Sequence, residues 1–100
     1  MKFQKLTGHP TFELAPYVKS VLKLHEGFDV QLYLGCDSQN KAIDTVYATT
    51  LVFHIASSGC HVIYKKERVP KIRDMWTRLW KETENSCEVA IYLREHGIEV

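Results

Sequence analysis

The feature that most limits the fold of this chain is a long run of β-branched and aromatic residues between positions 44 and 69. Such residues favour strands, in which successive side chains alternate between two faces. The segment SSG at positions 57–59 interrupts the run once and is typical of a short hairpin turn. We therefore predict two long antiparallel strands, one over positions 44–56 and one over positions 60–69.

The flanking segments complete a predicted α/β order. An alternating run over Asp29–Cys36 predicts a first strand, so that three strands form an antiparallel meander with the first strand in its interior. Residues 11–28 predict one helix, and a second, long helix is predicted to begin near Pro70 and to end at Gly97. The final residues, GIEV, predict the start of a fourth strand parallel to the first.

Composition indicates an ordinary globular protein. Of its 100 residues, 45% are hydrophobic and 25% are charged, which is typical of one domain spanning residues 1–100. No apolar run is long enough to cross a membrane, and the N-terminus MKFQKLTGHP lacks the apolar core of a signal peptide, so we expect a cytoplasmic protein without a membrane partner. The three cysteines form no CxxC pair and the five histidines show no HExxH spacing, so we expect free thiols and no zinc site.

Asp37 is a candidate functional residue because it follows the first predicted strand on the polar side of its alternation. One interpretation is structural, since Asp and Ser favour turns by bonding nearby backbone groups. The other is a carboxylate presented for chemistry at a strand end. Ser38 and Gln39 could orient a metal-bound water or a phosphate, or they could only complete the turn.

Glu82 is a second candidate because of its place on the long helix. Residues spaced at 100° intervals form a narrow apolar stripe that we expect to face the sheet, and Glu82 lies about 60° from its centre. We also expect Tyr64, Trp76 and Trp80 to belong to the core, because aromatic side chains dominate burial in small domains. The predicted stripe consists of Ile72, Met75, Leu79, Thr83, Ser86, Ala90 and Leu93.

The two acids suggest a metal site. If Asp37 and Glu82 face the same edge of the sheet, they could share Mg²⁺ or Mn²⁺, since such cations prefer hard oxygen ligands. A site of this kind suits metal-assisted hydrolysis of phosphodiester bonds.

Basic residues cluster although the net charge is only +1. A basic patch can hold phosphates, as nucleic-acid-binding proteins require, and the alternative is a solvated helix face. The predicted patch contains Lys65, Lys66, Arg68, Lys71, Arg73, Arg78 and Lys81, against two acids in the same span.

The run YLGCDSQNKAIDTVYATTLVFHIASSGCHVIYKK, with KET in the long helix, resembles the YkuK family of small bacterial proteins in the ribonuclease H-like superfamily. The G-x-D-S-Q segment of that family is matched by Asp37, Ser38 and Gln39, and its E-T pair by Glu82 and Thr83. The resemblance implies a ribonuclease H-like fold with an acid site made by these residues. It also implies further carboxylates from a fourth strand and a later helix, so we expect a domain that is partial at its C-terminus.

Three functions are compatible with these features. The leading hypothesis is a Mg²⁺-dependent nuclease that acts on phosphodiester bonds. The alternative is a catalytically inactive nucleic-acid-binding or assembly module with the same fold, because a fold does not specify a function. A small-molecule phosphohydrolase fits the same acids. Missing elements would leave a sheet edge and apolar surface bare, so we also expect a homo-oligomer.

Overall fold

A computed structural model describes every residue from Met1 to Val100. The elements in chain order are β1 (Lys2–Lys5), β2 (Thr11–Glu13), α1 (Leu14–Leu24), β3 (Val30–Asn40), β4 (Asp44–Ile55), β5 (Gly59–Pro70) and α2 (Met75–Glu95). The five strands form one sheet in the order β2-β1-β5-β4-β3, in which all neighbours are antiparallel. Neither helix is both long and apolar enough to cross a membrane.

The register of β3, β4 and β5 is continuous along their whole lengths. Asp37 of β3 pairs with Ala48 of β4, which pairs with Lys66 of β5, whereas Ser38 pairs with Tyr47. Paired residues share a face and successive residues alternate, so Asp37, Ala48 and Lys66 lie on one face and Ser38 and Tyr47 on the other.

Both helices pack on the same face of the sheet, the helix face, which carries Ser38 and Tyr47. The opposite face, which carries Asp37 and Lys66, has no covering element, and we call it the open face. Removing the helix-face side chains from water supplies most of the stabilisation of the fold, at about 1.5–3 kcal/mol for each large apolar side chain. The core consists of Phe3, Leu14, Val18, Leu51, Phe53, Ile55, Ile63, Val89, Leu93 and Ile98.

The predicted fold class is wrong. The sheet has five antiparallel strands, and no parallel fourth strand forms. β1 and β2 are only four and three residues long, too short for alternation to reveal them. Ile98 is buried in the core, and its N–H donates to the Leu93 carbonyl (2.9 Å), so the last residues follow the end of α2 instead of joining the sheet. β3 is consequently an outer strand of the sheet, not an interior one.

The first long strand extends beyond its predicted end at Cys36. β3 continues to Asn40, which pairs with Thr45 of β4. Asp37 therefore lies within a strand, and the interpretation of Asp37 as a turn residue is also wrong. A side-chain hydrogen bond stabilises the strand as far as its last residue: Thr45 Oγ1 donates to Asn40 Oδ1 over 2.6 Å.

The long helix begins later than predicted, at Met75. Ile72 is held in a non-helical segment because its N–H donates to Thr45 Oγ1 (2.9 Å) and its carbonyl accepts from Asn40 Nδ2 (3.2 Å). Asp74 then caps the helix by accepting from the Thr77 N–H (2.9 Å). Hydrogen bonds from Thr77 lower the pKa of Asp74, which keeps this cap ionised.

The long helix is also rotated relative to the predicted apolar stripe. Its buried residues are Asn85, Val89 and Leu93, whereas Trp76 and Trp80 are 79% and 69% exposed. The prediction that both tryptophans belong to the core is wrong. The sheet beneath the first half of α2 presents polar groups, so it accepts polar side chains of the helix instead of tryptophans.

His61 on β5 links the sheet to α1 through the Tyr17 hydroxyl, which lies 2.5 Å from His61 Nε2. Burial, and then the positive charges of Lys5 and His25, lower the pKa of His61. Folding therefore disfavours its protonated form. The contribution of His61 to the free energy of unfolding is expected to be constant above the unfolded-state pKa of about 6.5 and to fall as the pH drops from there toward the lower folded-state value.

This pH dependence can be measured by chemical denaturation between about pH 7.5 and pH 5. His61→Gln is expected to remove most of the loss of stability over this window. His54→Gln, which changes an exposed histidine of the neighbouring strand, is the control and should keep the wild-type dependence. An equal slope in wild type and His61→Gln would contradict the assignment.

Candidate functional site

The two predicted carboxylates lie on opposite faces of the sheet. Ser38 Oγ donates a hydrogen bond to Glu82 Oε2, which fixes Glu82 on the helix face. Asp37 precedes Ser38 in β3, and its side chain is exposed on the open face. The backbone of the sheet therefore stands between the carboxylates of Asp37 and Glu82.

Asp37 and Glu82 do not present converging ligands for a shared Mg²⁺ or Mn²⁺ ion, because Asp37 lies on the open face of the sheet and Glu82 on the helix face. The chain also contains no group of three or more His, Cys, Asp or Glu side chains that could hold a metal ion. Asp37 is the only acidic side chain that lines the depression on its face, and one carboxylate is a weak anchor for a cation that is costly to dehydrate.

Glu82 instead belongs to a polar network that joins α2 to the sheet. Besides its bond from Ser38, Glu82 acts on Tyr47, because burial and then the negative charge of Glu82 raise the pKa of the Tyr47 phenol. Lys81 Nζ lies 5.6 Å from the centre of the Tyr47 ring and 3.6 Å from Glu67 Oε1. The network positions the first half of the helix, and it explains why a carboxylate is tolerated at a half-buried position.

A second contact under α2 was not anticipated from the sequence. Cys36 Sγ accepts from Thr49 Oγ1 at 3.4 Å and from Asn85 Nδ2 at 3.8 Å. Asn85 is buried, so these contacts satisfy an amide that would otherwise be costly. The signal in the sequence was Asn85 itself, a polar residue at helical spacing from Val89.

On the open face, Asp37 and Gln39 line a shallow depression of about 180 Å³. Its charged lining is mostly basic, and one of the basic groups is neutralised locally, since Arg68 Nη1 lies 3.0 Å from Asp44 Oδ2. The residues around this depression are Asp37, Ser38, Gln39, Lys41, Val46, Ala48, Lys66 and Arg68.

The seven basic residues predicted as one patch are divided between two surfaces. By strand alternation Lys66 and Arg68 lie on the open face, whereas Lys65 lies on the helix face. Lys81 forms an ion pair with Glu67. Lys71 and Arg73 lie between β5 and α2, and Arg78 lies on α2 with its Nε buried and without a protein partner.

Aromatic side chains extend the open face beyond the depression. Tyr33 is 54% exposed, and Tyr64 lies beneath Lys66 Nζ, which is 5.9 Å from its ring centre. A neighbouring concavity of about 290 Å³ is lined by Leu6, Ala48, Thr50, Val62, Tyr64 and Lys66. Tyr64 therefore belongs to this surface, not to the core as predicted. Alternation along β3 already placed Tyr33 on the same face as Asp37, and that signal could have identified the surface.

The bond between Ser38 and Glu82 generates a test of the role of Glu82. Ser38→Ala leaves a half-buried carboxylate without its donor and is expected to lower the free energy of unfolding by about 1–2 kcal/mol. Glu82→Gln keeps an acceptor oxygen and should cost about 1 kcal/mol or less. Urea denaturation of both single variants and the double variant gives the coupling between the two side chains.

Repeating the denaturation with Mg²⁺ tests the metal hypothesis directly. We expect Mg²⁺ to change the stability of wild type and Glu82→Gln equally. Stabilisation of wild type alone, near the 2.7 kcal/mol expected for a ligand at one hundred times its Kd, would make Glu82 a metal ligand.

The family of the chain follows from a comparison of its sequence with family models. The Ribonuclease H-like model matches residues 13–99, which span every element from the end of β2 to the last turn of the chain. No curated protein and no solved structure matches the chain significantly. Since the matched residues make up well over half of the sequence, the chain belongs to the ribonuclease H-like family.

Proposed function

We propose that this ribonuclease H-like chain binds single-stranded nucleic acid on the open face of its sheet without cleaving it. The observation that carries the proposal is the coincidence of cationic and aromatic side chains on one uncovered face. Lys66 and Arg68 lie next to Tyr64 there, and Tyr33 extends the same face toward the sheet edge.

The chemistry of these side chains suits a single strand better than a duplex. Unpaired bases stack on aromatic rings, and each stacked base contributes about 1–3 kcal/mol, whereas the bases of a duplex are already stacked on each other. Lys66 forms no ion pair within the protein, so its charge is free for a phosphate. Arg68 pairs with Asp44, whose side chain is only 21% exposed, so the charge of Arg68 is committed within the protein and Lys66 is the principal free cation of this surface.

The nuclease hypothesis has support from the family and none from the arrangement of the acids. Hydrolysis with a shared metal ion requires oxygen ligands that converge, and Asp37 and Glu82 diverge across the sheet. The same argument weakens the phosphohydrolase hypothesis, which relies on the same acids.

We further propose that the chain is a YkuK-like member of the family. The bond between Ser38 and Glu82 supports this, since it joins the two motifs that carry the resemblance. Their shared role in this chain is to dock α2 on β3. We also propose a cytoplasmic location, as expected from the sequence.

Binding can be measured by fluorescence anisotropy with a labelled oligothymidylate or oligouridylate at several salt concentrations. Lys66→Gln is expected to weaken binding and to reduce the slope of log K against log salt by about 0.7, the value for one phosphate contact with a single strand. Tyr64→Leu should weaken binding about 5-fold to 160-fold through the loss of one stacked base. Lys19→Gln, on the exposed side of α1, is the matched control and should bind as wild type does.

Equal affinities for wild type, Lys66→Gln and Tyr64→Leu would contradict the proposed surface. The same oligonucleotide incubated with protein and Mg²⁺ or Mn²⁺ should stay intact. Cleavage that disappears in Asp37→Asn would restore the nuclease hypothesis.

A further inference from the structure

The outer edge of β3 is unusually open for the edge of a sheet. β3 is the last strand on its side, runs for 11 residues and contains no proline, no lysine and no arginine. Natural proteins protect such edges with charges, proline, bulges or covering segments, because unpaired backbone groups recruit another strand. The only charged side chain within β3 is that of Asp37.

Two hydrogen bonds at the ends of β3 establish which of its backbone groups are free. The Ala56 N–H donates to the Asp29 carbonyl (2.9 Å), and the Lys41 N–H donates to the Asp44 carbonyl (2.8 Å). Residues that bond to the neighbouring antiparallel strand alternate with residues that do not, so the odd-numbered residues of β3 bond to β4. The N–H and C=O groups that point outward belong to Val30, Leu32, Leu34, Cys36, Ser38 and Asn40.

The charges at the two ends of β3 are complementary in one antiparallel arrangement of two copies. With a two-fold axis at Gly35, Asp29 of each copy lies opposite Lys41 of the other, and all outward-pointing groups pair with one another. An axis at Tyr33 places Asp29 opposite Asp37, and an axis at Asp37 places the two Asp37 carboxylates opposite each other. Asp29 and Lys41 are exposed and form no ion pair within one copy.

Gly35 itself is consistent with an axis at this point. A glycine inside a strand weakens it, and often marks a close approach of another backbone. Within one copy nothing requires glycine, since a Cβ built at Gly35 meets no atom within 4 Å and its φ is not positive.

From this complementarity we propose that β3 is the interface for a second copy of this chain, bound antiparallel about a two-fold axis at Gly35. The two sheets then form one continuous sheet with both helix faces on the same side. Because the interface uses the edge of β3 and not Tyr64 or Lys66, it is independent of the proposed binding of nucleic acid.

α2 supplies a second contact in this dimer. The bonds of Glu82 to Ser38 and of Asn85 to Cys36 place α2 over β3, and Tyr92 points back toward α1. At 100° per residue, the side of α2 that faces outward beyond β3 carries Leu79, Thr83, Ser86 and Ala90. These small and apolar side chains meet the same side of the second α2 in the dimer, which removes them from water.

Sedimentation equilibrium without nucleic acid tests the interface and its register. Wild type is expected to be dimeric. Asp29→Lys and Lys41→Asp each replace two attractive pairs by two repulsive pairs and should raise the dimer Kd about tenfold or more. The double variant Asp29→Lys/Lys41→Asp restores both pairs and should regain the wild-type Kd, whereas Lys19→Asp on α1 should leave it unchanged.

Amide hydrogen exchange gives a second, residue-level readout. In the dimer the amides of Leu32, Leu34, Cys36 and Ser38 are expected to be protected, and in the dissociated single variants they should exchange rapidly while the odd-numbered amides of β3 stay protected. A monomer that persists up to about 1 mM would overturn the proposal. A dimer whose Kd is unaffected by the charge changes would also overturn it, as would even-numbered amides that stay protected in the dissociated single variants, since a different surface or segment would then be responsible.

Discussion

The rest of the structure depends on one constraint: helices cover only one face of the sheet. Leu51, Phe53 and Ile63 lie on the face that receives α1 and α2, and their burial provides the main driving force for folding. The opposite face carries charged and aromatic side chains together with alanine, threonine and valine side chains on the same strands. The face to which a side chain points therefore determines whether it packs under the helices or is available for binding.

The uninterrupted register of the sheet determines which side chains lie on each face. Asp37 and Ser38 are neighbours in the sequence, yet alternation sends Asp37 to the open face and Ser38 to α2. The serine then meets Glu82 and fastens the helix, while the aspartate contributes to a surface dominated by basic side chains. The Asp37-Ser38 motif, which suggests a single site in the sequence, therefore contributes one side chain to the open face and the other to the contact with α2.

The two proposals use different parts of the same sheet and are compatible. A two-fold axis at the β3 edge keeps both open faces on one side, so that two binding surfaces become continuous. A longer single strand could then contact Lys66 and Tyr64 in both copies, which raises avidity without new contacts. Trp76 lies about 20° from Thr83, at the border of the side of α2 assigned to the second copy, whereas Trp80 lies further round the helix.

The sequence by itself determined the positions of the two β-rich runs that become β4 and β5, the helical character of residues 75–95 and the placement of Tyr33 and Asp37 on one face, because these depend on local propensity and periodicity. Only the tertiary structure decided the rest. The short strand β1 forms because it pairs with the long strand β5, and β2 forms because it pairs with β1. No fourth strand forms after α2, because Ile98 is buried in the core and its N–H bonds to the Leu93 carbonyl. The side of α2 that faces the sheet, and hence the separation of Glu82 from Asp37, depends on the polar groups of Ser38 and Cys36 beneath it. That contact joins residues more than forty positions apart, and no local pattern contains it.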